Sequence, residues 1–350
     1  MNKILVIFLL PLFVFSQNIK GKITDANQQP IEGASVYLDG TTIGTVSDAK
    51  GLFEITSKNK YNTLLIVKYL GYEDIYVSNP YEKEFFTFVL VPKQNEIETV
   101  LVVKDGFTRK QKLQLFREQF LGLTKYGKAC KILNEDAIDF NYDLKTFIFT
   151  ASCSEPINVE NPLLGYLIDF DLKDFYVKFN FKTIKSSNVV KSLFLGTAKY
   201  TENSIDEKIK KNRNDVYFGS AVDFFKGIID NSWSEKKIIL FKGKFSVNPN
   251  DYFKVLKKED LYEVTVTSTN KVSLSINGVK KTNFYADFNL LYRKKRQSQV
   301  IFKTETFFVD SFGNNSHKDQ IIFGGDIGQQ KAGNTLPLDF EPELVLEKKN

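Results

Sequence analysis

The sequence predicts a mostly β protein: a small antiparallel sandwich first, then a larger β-rich α+β domain carrying one or two amphipathic helices. Three observations point there. The chain holds 32 Phe and 16 Tyr, and together with frequent Val, Ile and Thr that mix favours strands. Short alternating segments separated by turn residues recur along residues 18–103. Beyond Cys130 the strand pattern resumes, with one further stretch at helical spacing inside it.

Ahead of the first strand stands a leader. Lys3 supplies a short positive start, and ILVIFLLPLFVF, residues 4–15, is an unbroken apolar run. Its length suits the core of a secretory signal and is too short to span a bilayer. Residues 1–16 are therefore expected to be a signal peptide cut near Ser16-Gln17, with an uncleaved anchor as the competing reading. No later segment reaches 18 consecutive apolar residues, so no transmembrane helix is expected. After cleavage about 330 residues remain, room for two ordinary domains. A formal charge of +6 is mild for this size. It suits solubility or an acidic envelope surface better than nucleic-acid binding.

The sandwich strands follow in order. Residues 18–24 (NIKGKIT) alternate around Gly21, and 25–30 (DANQQP) is turn chemistry. Strands are expected at 34–38, 52–55, 64–69, 75–77 and 85–91. The stretch GASVYLDGTTIGTVSDAKGLFEI, residues 33–55, invites a ligand-loop reading. A phosphate loop needs glycines at a helix N-terminus with a Lys beside them. Here no Gly-Lys-Ser/Thr follows Gly40 and Gly44, and the next element alternates as a strand. A calcium loop needs oxygen ligands at alternate positions, and Lys50 stands where one is wanted. The polar residues read as corners instead. Asp48 and Gly51 fit the first and last positions of a type I turn, and Gly40 suits a hairpin tip.

The segments IKGKITDANQQPIEGASVYLDGTTIGTVSDAKGLFEI, LLIVKYLGYED and FTFVLVPKQNEIETVLVV resemble the carboxypeptidase regulatory-like domain. That module also precedes the plug of many TonB-dependent outer-membrane receptors of Bacteroidetes. The resemblance covers residues 18 to about 103 and implies a seven-stranded, transthyretin-like sandwich spanning 17–103. In it Gly33, Gly40, Gly44, Gly51 and Gly71 shape turns. It does not imply a peptidase. Zinc in metallocarboxypeptidases is held by two histidines and a glutamate, and this chain has one histidine, His317.

Residues 104–125 change character. Leu113, Phe116, Phe120 and Leu121 recur at helical spacing, with Leu123 just beyond and charges opposite. Thr108 is the expected N-cap of this connector helix. A membrane-surface helix, with Lys110, Lys112 and Arg117 facing acidic lipid, is the livelier alternative.

A β-rich domain is expected over 126–342, with 343–350 as a tail. Residues 137–142 and 146–152 flank a hairpin signal, and strands are read at 163–170 and 175–181. Phe218, Val222, Phe225 and Ile229 then mark one face of a helix within 212–233, closed by Trp233. Further strands are expected at 237–245, 261–267, 272–276, 283–292 and 298–309, the last two joined by RKKRQ. Segments of residues 116–340 are similar to the downstream domain of Bacteroidetes proteins that carry the same module. The resemblance implies no reaction. Where a His-Phe pair is expected in the second helix, this chain has Asp223-Phe224.

Candidates for chemistry are few. His317 lies in the polar loop GNNSHKDQ, and no nucleophile motif surrounds Cys130 or Cys153. Export makes a Cys130–Cys153 disulfide a candidate, with two buried free thiols as the alternative. Ser220 in FGSAV is not a nucleophile elbow and is expected inside the helix. In DFDLKDF, Asp169 and Asp171 share one strand face, with Asp174 nearby. Paired carboxylates serve sugar chemistry when they face across a cleft. Acidic residues on a wet face are the plainer reading. EKIKKNR (207–213) and RKKR (293–296) read as a solvated helix entry and a hairpin tip.

The sequence thus points to an exported, non-catalytic protein at the periplasm or outer-membrane periphery, with a binding or assembly role near uptake machinery. The expected partner is an envelope protein or glycan, with peripheral membrane association open and no nucleic acid. No cofactor and no metal are expected. Two alternatives stand beside it. One is a hydrolase or transferase of envelope glycans using Asp169 and Asp171. The other is an outer-membrane barrel, raised by the long strands in 283–309.

Overall fold

The computed structural model describes residues 17–93, 105–267, 271–276, 279–317 and 320–343. The expected signal peptide, the joining stretch 94–104 and most of the expected tail lie outside the described residues. The chain divides into two compact units, Met1–Ile97 and Glu98–Asn350.

Seven strands build the first unit: β1 (Gln17–Thr24), β2 (Ser35–Leu38), β3 (Gly44–Val46), β4 (Leu52–Ser57), β5 (Leu65–Lys68), β6 (Ile75–Val77) and β7 (Phe85–Val89). They form two sheets, ordered β4-β1-β7 and β3-β2-β5-β6. Strand β4 shows the logic. Phe53, Ile55 and Ser57 are buried while Leu52, Glu54 and Thr56 face water, the alternation of a strand with one wet face. Ile19, Ile23, Val36, Leu38 and Leu65 are fully buried, each contributing about 1.5–3 kcal/mol through burial. Gly21, between Ile19 and Ile23, leaves room for its neighbours: a Cβ there would stand 2.5 Å from Phe86 O and 2.6 Å from the Phe53 ring. Two expectations are corrected. The short strand β3 was absent from the sequence reading, because Gly-Thr-Val offers too few residues to show a period. The sandwich is also not wholly antiparallel, since β1 and β7 pair in parallel, Lys20 opposite Phe85 through Thr24 opposite Val89. A parallel pair requires a long crossover, which the five intervening strands supply.

The second unit opens with α1 (Arg109–Phe120). Thr108 caps it. Its hydroxyl accepts from the Gln111 N–H, and the Gln111 side chain accepts from the Thr108 N–H, a reciprocal capping box. Leu115, Phe116 and Phe120 are buried, whereas Leu113 is half-buried, so the packed face is turned slightly from the one the spacing indicated. A short helix α2 (Lys125–Ala129) follows. Then come β8 (Lys131–Ile132), β9 (Ile138–Asp143), β10 (Ile148–Cys153), β11 (Ile157–Asn161), β12 (Tyr166–Lys178) and β13 (Lys191–Glu202). Their sheet runs β8-β11-β12-β10-β9, and β13 pairs β12 along its length. The two strands expected at 163–170 and 175–181 are largely one, β12, carrying a bulge between Leu172 and Asp174. Tyr166, Ile168, Phe170 and Leu172 are buried, then Phe175 and Val177. The extra residue shifts the alternation by one and keeps both halves facing the core. Phe116 packs against Phe120, Phe140 and Phe175 at ring-centroid distances of 5.2, 5.7 and 4.7 Å.

Two helices stand where one was expected. Helix α3 (Glu207–Tyr217) ends at Phe218, and α4 (Ala221–Asp230) begins after Ser220. Gly219 at φ +81° breaks the run. Phe218 and Val222 therefore do not share a helix face, and α4 buries Asp223, Phe224, Phe225 and Ile228.

A second core lies beyond. It is built by β14 (Ile238–Lys242), β15 (Phe245–Ser246), β16 (Phe253–Lys258) and β17 (Leu261–Val266). The hairpin β18 (Lys271–Ile276) and β19 (Val279–Phe284) follows, then β20 (Ala286–Tyr292), β21 (Arg296–Phe302), β22 (Thr306–Asp310), β23 (Ile321–Gly324) and a single turn α5 (Gly325–Gly328). One sheet runs β15-β14-β20-β21-β23 and another β16-β17-β22. Phe224, Phe225, Trp233, Phe253, Phe288 and Phe302 fill the space they share with α4. The run 298–309, expected as one strand, is two: β21 and β22 belong to different sheets, and their Phe302 and Phe307 rings stack at 5.6 Å. The long strands that raised the barrel reading are thus reduced to the β20–β21 hairpin, and among the described residues no sheet closes on itself. No helix among them is long and apolar enough to cross a membrane.

Candidate functional site

The glycine-rich stretch 33–55 spends its polar groups on its own backbone. Asp48 Oδ1 accepts from the Lys50 and Leu52 N–H groups, both at 2.8 Å, and Gly51 N–H donates to Asp48 O. Ser47 Oγ, buried, donates to Ile31 O and accepts from Ala34 N–H. Thr41 Oγ1 donates to Leu38 O and accepts from Ile43 N–H. Gly33, Gly40, Gly51 and Gly71 take φ between +72° and +82°, a region where a side chain is costly. Gly44 differs. It opens β3 with ordinary backbone, and close approach is its constraint: a Cβ would stand 2.8 Å from Tyr37 Cβ.

Cys130 and Cys153 are free thiols rather than a disulfide. Cys130 Sγ donates to Tyr126 O at 3.3 Å and Cys153 Sγ to Ala137 O at 3.2 Å. Burial pushes the Cys130 thiol up to about 12 and raises Cys153 as well, the opposite of what a reactive thiolate requires. His317 is exposed, with Nδ1 2.7 Å from Ser316 Oγ. That hydroxyl also accepts from the Phe308 N–H, as a turn residue does. Among the described residues no three His, Cys, Asp or Glu side chains gather as a metal site. Asp169 and Asp171 share a face of β12, as the alternation implies, but they serve different partners. Asp169 accepts from Asn158 Nδ2 at 2.8 Å, and Asp171 pairs with Lys173 Nζ at 2.7 Å. Asp174 is exposed beyond the bulge.

The basic clusters also separate. Lys208 and Lys211 of 207–213 are exposed, but Arg213 is buried at 4% exposure. Its guanidinium pairs with Glu202 at 2.7 Å, donates to Leu164 O, Gly165 O and Ser204 O, and stacks 4.0 Å over Tyr166. Residues 293–295 form the tip of the β20–β21 hairpin, with Arg293 and Lys294 at φ +47° and +55°.

The second unit holds a cavity of about 600 Å³. Two stretches distant in sequence wall it: the α3–α4 junction, and residues 312–340, which include Phe312, Asn314, β23, α5 and the segment after it. Gly219 makes the junction. A Cβ on it would stand 2.6 Å from the Tyr292 ring. Ser220 is the N-cap of α4, not an interior residue, and its Oγ accepts from the Asp223 N–H at 3.2 Å. Arg296 ties the junction to α5, donating to Phe218 O at 2.8 Å and pairing with Asp326 at 2.6 Å.

Directly behind this wall sits Asp223, 0% exposed. Its Oδ2 accepts from the Gly219 N–H at 2.8 Å, and its Oδ1 lies 2.5 Å from Lys236 Nζ. Burial outweighs these partners and raises its pKa above the usual carboxylate value. Tyr217, which lines the cavity, is raised by burial and then by the Asp223 charge, so its hydroxyl stays protonated. On the far side, burial alone lowers Lys331 below the ordinary lysine value. In the sequence Asp223 stands out only as a departure from an expected histidine, and nothing marks Lys236, Tyr217 or Lys331. None stands in a motif: Lys236 meets Asp223 from 13 residues along the chain, and Lys331 reaches the cavity that Tyr217 lines from more than a hundred residues away.

Comparison with known proteins places the first unit. Residues 19–102 match the family described as the CarboxypepD_reg-like domain, and the N-terminal module is a domain of that class. The TonB-dependent receptor SusC of Bacteroides thetaiotaomicron is 33% identical over 79 residues, which cover 21% of this chain and 8% of the receptor. The chain thus spans only a small fraction of that relative's length. Among solved structures, a protein of unknown function from Bacteroides fragilis, described as membrane-associated, aligns over 86% of this chain and 98% of its own at 13% identity, with a TM-score of 0.19. A 9R-lipoxygenase from Cyanothece aligns over 64% and 50% at 8% identity, with a TM-score of 0.18. Scores this low establish no shared fold.

Proposed function

We propose that this protein is a non-catalytic component of the cell envelope with a binding or assembly role close to outer-membrane uptake machinery. One observation carries the reading: the module at residues 19–102 is of a class that SusC, a TonB-dependent receptor, shares in sequence. The surface of the module supports it. Leu70, at the tip of the β5–β6 turn, is 96% exposed, and Phe85 and Val89 project from the wet face of β7. Large apolar groups held in water on a small domain suit contact with another protein. The carboxylates considered for glycan chemistry add nothing to an enzymatic reading, because Asp169 and Asp171 are each engaged by a neighbour.

The test is crosslinking in the native envelope followed by carbonate washing. A carbonate-extractable envelope protein that crosslinks to an envelope partner, and loses that crosslink in a Leu70→Asp/Phe85→Asp variant, is the expected result. Recovery in the cytosol, or glycan turnover by the purified chain, would overturn the reading.

A further inference from the structure

The cavity of the second unit carries an inference that does not depend on cellular location. Its lining is mostly apolar, with Val222, Phe312, Ile327, Leu336 and Phe340 among the walls. A volume of about 600 Å³ lies within the roughly 300–1,000 Å³ typical of small-molecule sites. Among the described residues of the lining, Lys331 is the only charged one.

The polar groups around it divide into two kinds. Most are already used within the protein. Ser220 Oγ caps α4, Asn334 Oδ1 accepts from Thr124 Oγ1 at 2.6 Å, and Thr335 Oγ1 lies 2.7 Å from Tyr200 OH. Asn314 Nδ2 donates to Asp310. Two are not used. The Lys331 ammonium and the Tyr217 hydroxyl have no hydrogen-bond or ion-pair partner among the described residues. Lys331 is half-buried and its stem runs beside Gly122, where a Cβ would stand 3.1 Å from Lys331 Cβ. A half-buried ammonium without a counter-ion loses hydration with nothing in return. A ligand anion is the natural complement, and an acyl chain matches walls that offer few free hydrogen-bonding groups.

We propose that this cavity binds a single-chain amphiphilic carboxylate of the fatty-acid class. The chain lies against the apolar walls and the carboxylate pairs with Lys331, with the Tyr217 hydroxyl as a second donor. No bond is made or broken; the site holds the ligand.

The test is calorimetric titration of the intact protein with submicellar dodecanoate at neutral pH. Dodecanol serves as the neutral probe of equal chain length. Dodecanoate is expected to bind at one site, about tenfold or more tighter than dodecanol. In Lys331→Met dodecanoate falls to the level of dodecanol, while dodecanol binding is unchanged. Lys331→Arg retains most of the preference. A bulky residue in the wall, Ala221→Phe, weakens both probes, and thermal unfolding confirms that each variant is folded. No dodecanoate binding to the wild type would overturn the proposal, as would equal binding by the wild type and Lys331→Met. A cytosolic location would sink the envelope reading and leave this one standing.

Discussion

Asp223 is a carboxylate sealed from water, and its partners decide what removing it costs. Breaking a buried ion pair strands the other charge and typically costs about 3–5 kcal/mol. Asp223→Ala should therefore lower unfolding free energy by about that amount in urea titrations, since Lys236 is itself largely buried. The same residue sets a pH dependence. Its folded pKa is raised by burial above the unfolded value. The folded state therefore holds this proton more tightly, and stability falls as pH climbs from the ordinary carboxylate range through the raised pKa. Above that, the Asp223 contribution is flat. Compared across pH 4 to 7, wild type should lose stability relative to Asp223→Asn; a difference that grows instead would refute the assignment. The thiols give a second residue-scale prediction. Because Cys130 and Cys153 are free, dithiothreitol should leave the melting temperature unchanged. With burial holding Cys130 up to about 12, native protein should react with Ellman's reagent far more slowly at that site than denatured protein does.

At the scale of elements, the α3–α4 junction is where local pattern and packing part company. Apolar spacing over 212–233 is consistent with one helix, because the 3.6-residue period continues across Phe218 and Val222. Gly219 and Ser220 are the signals that it stops: a residue able to take φ +81° and an N-cap hydroxyl. Ser220→Ala should cost about 1 kcal/mol as a lost N-cap. Gly219→Ala should cost more, about 1–3 kcal/mol from backbone strain alone, with the Tyr292 ring in the way as well. Urea midpoints for the two variants test the order. The strands repeat the lesson. In β12 the alternation changes phase at Lys173, which reads in sequence as two strands and in space as one strand with a bulge. In 298–309 the reverse holds, and a stretch expected as one strand divides between two sheets.

At the scale of the molecule, each unit has its own buried residues. Residues 17–93 enclose Ile19, Val36, Leu38, Phe53, Leu65 and Val67 between two sheets. Expressed alone, they should give a β-type circular dichroism spectrum and one cooperative thermal transition. A span of this size is marginal, because small domains bury a low fraction of their surface. A non-cooperative melt would show that it leans on the rest of the chain.

By itself the sequence determined the β class, the turn chemistry of Asp48 and Gly51, and the cap at Thr108. Each of these rests on neighbours in the chain, through side-chain period, backbone freedom or a bond three residues long. Tertiary structure alone decided the parallel pairing of β1 with β7, the separation of the two thiols, the burial of Asp223 with Lys236, and the cavity holding Tyr217 and Lys331. The Asp223–Lys236 pair spans 13 residues and the other features join segments further apart, and burial and charge pairing across such separations leave no periodic trace along the chain.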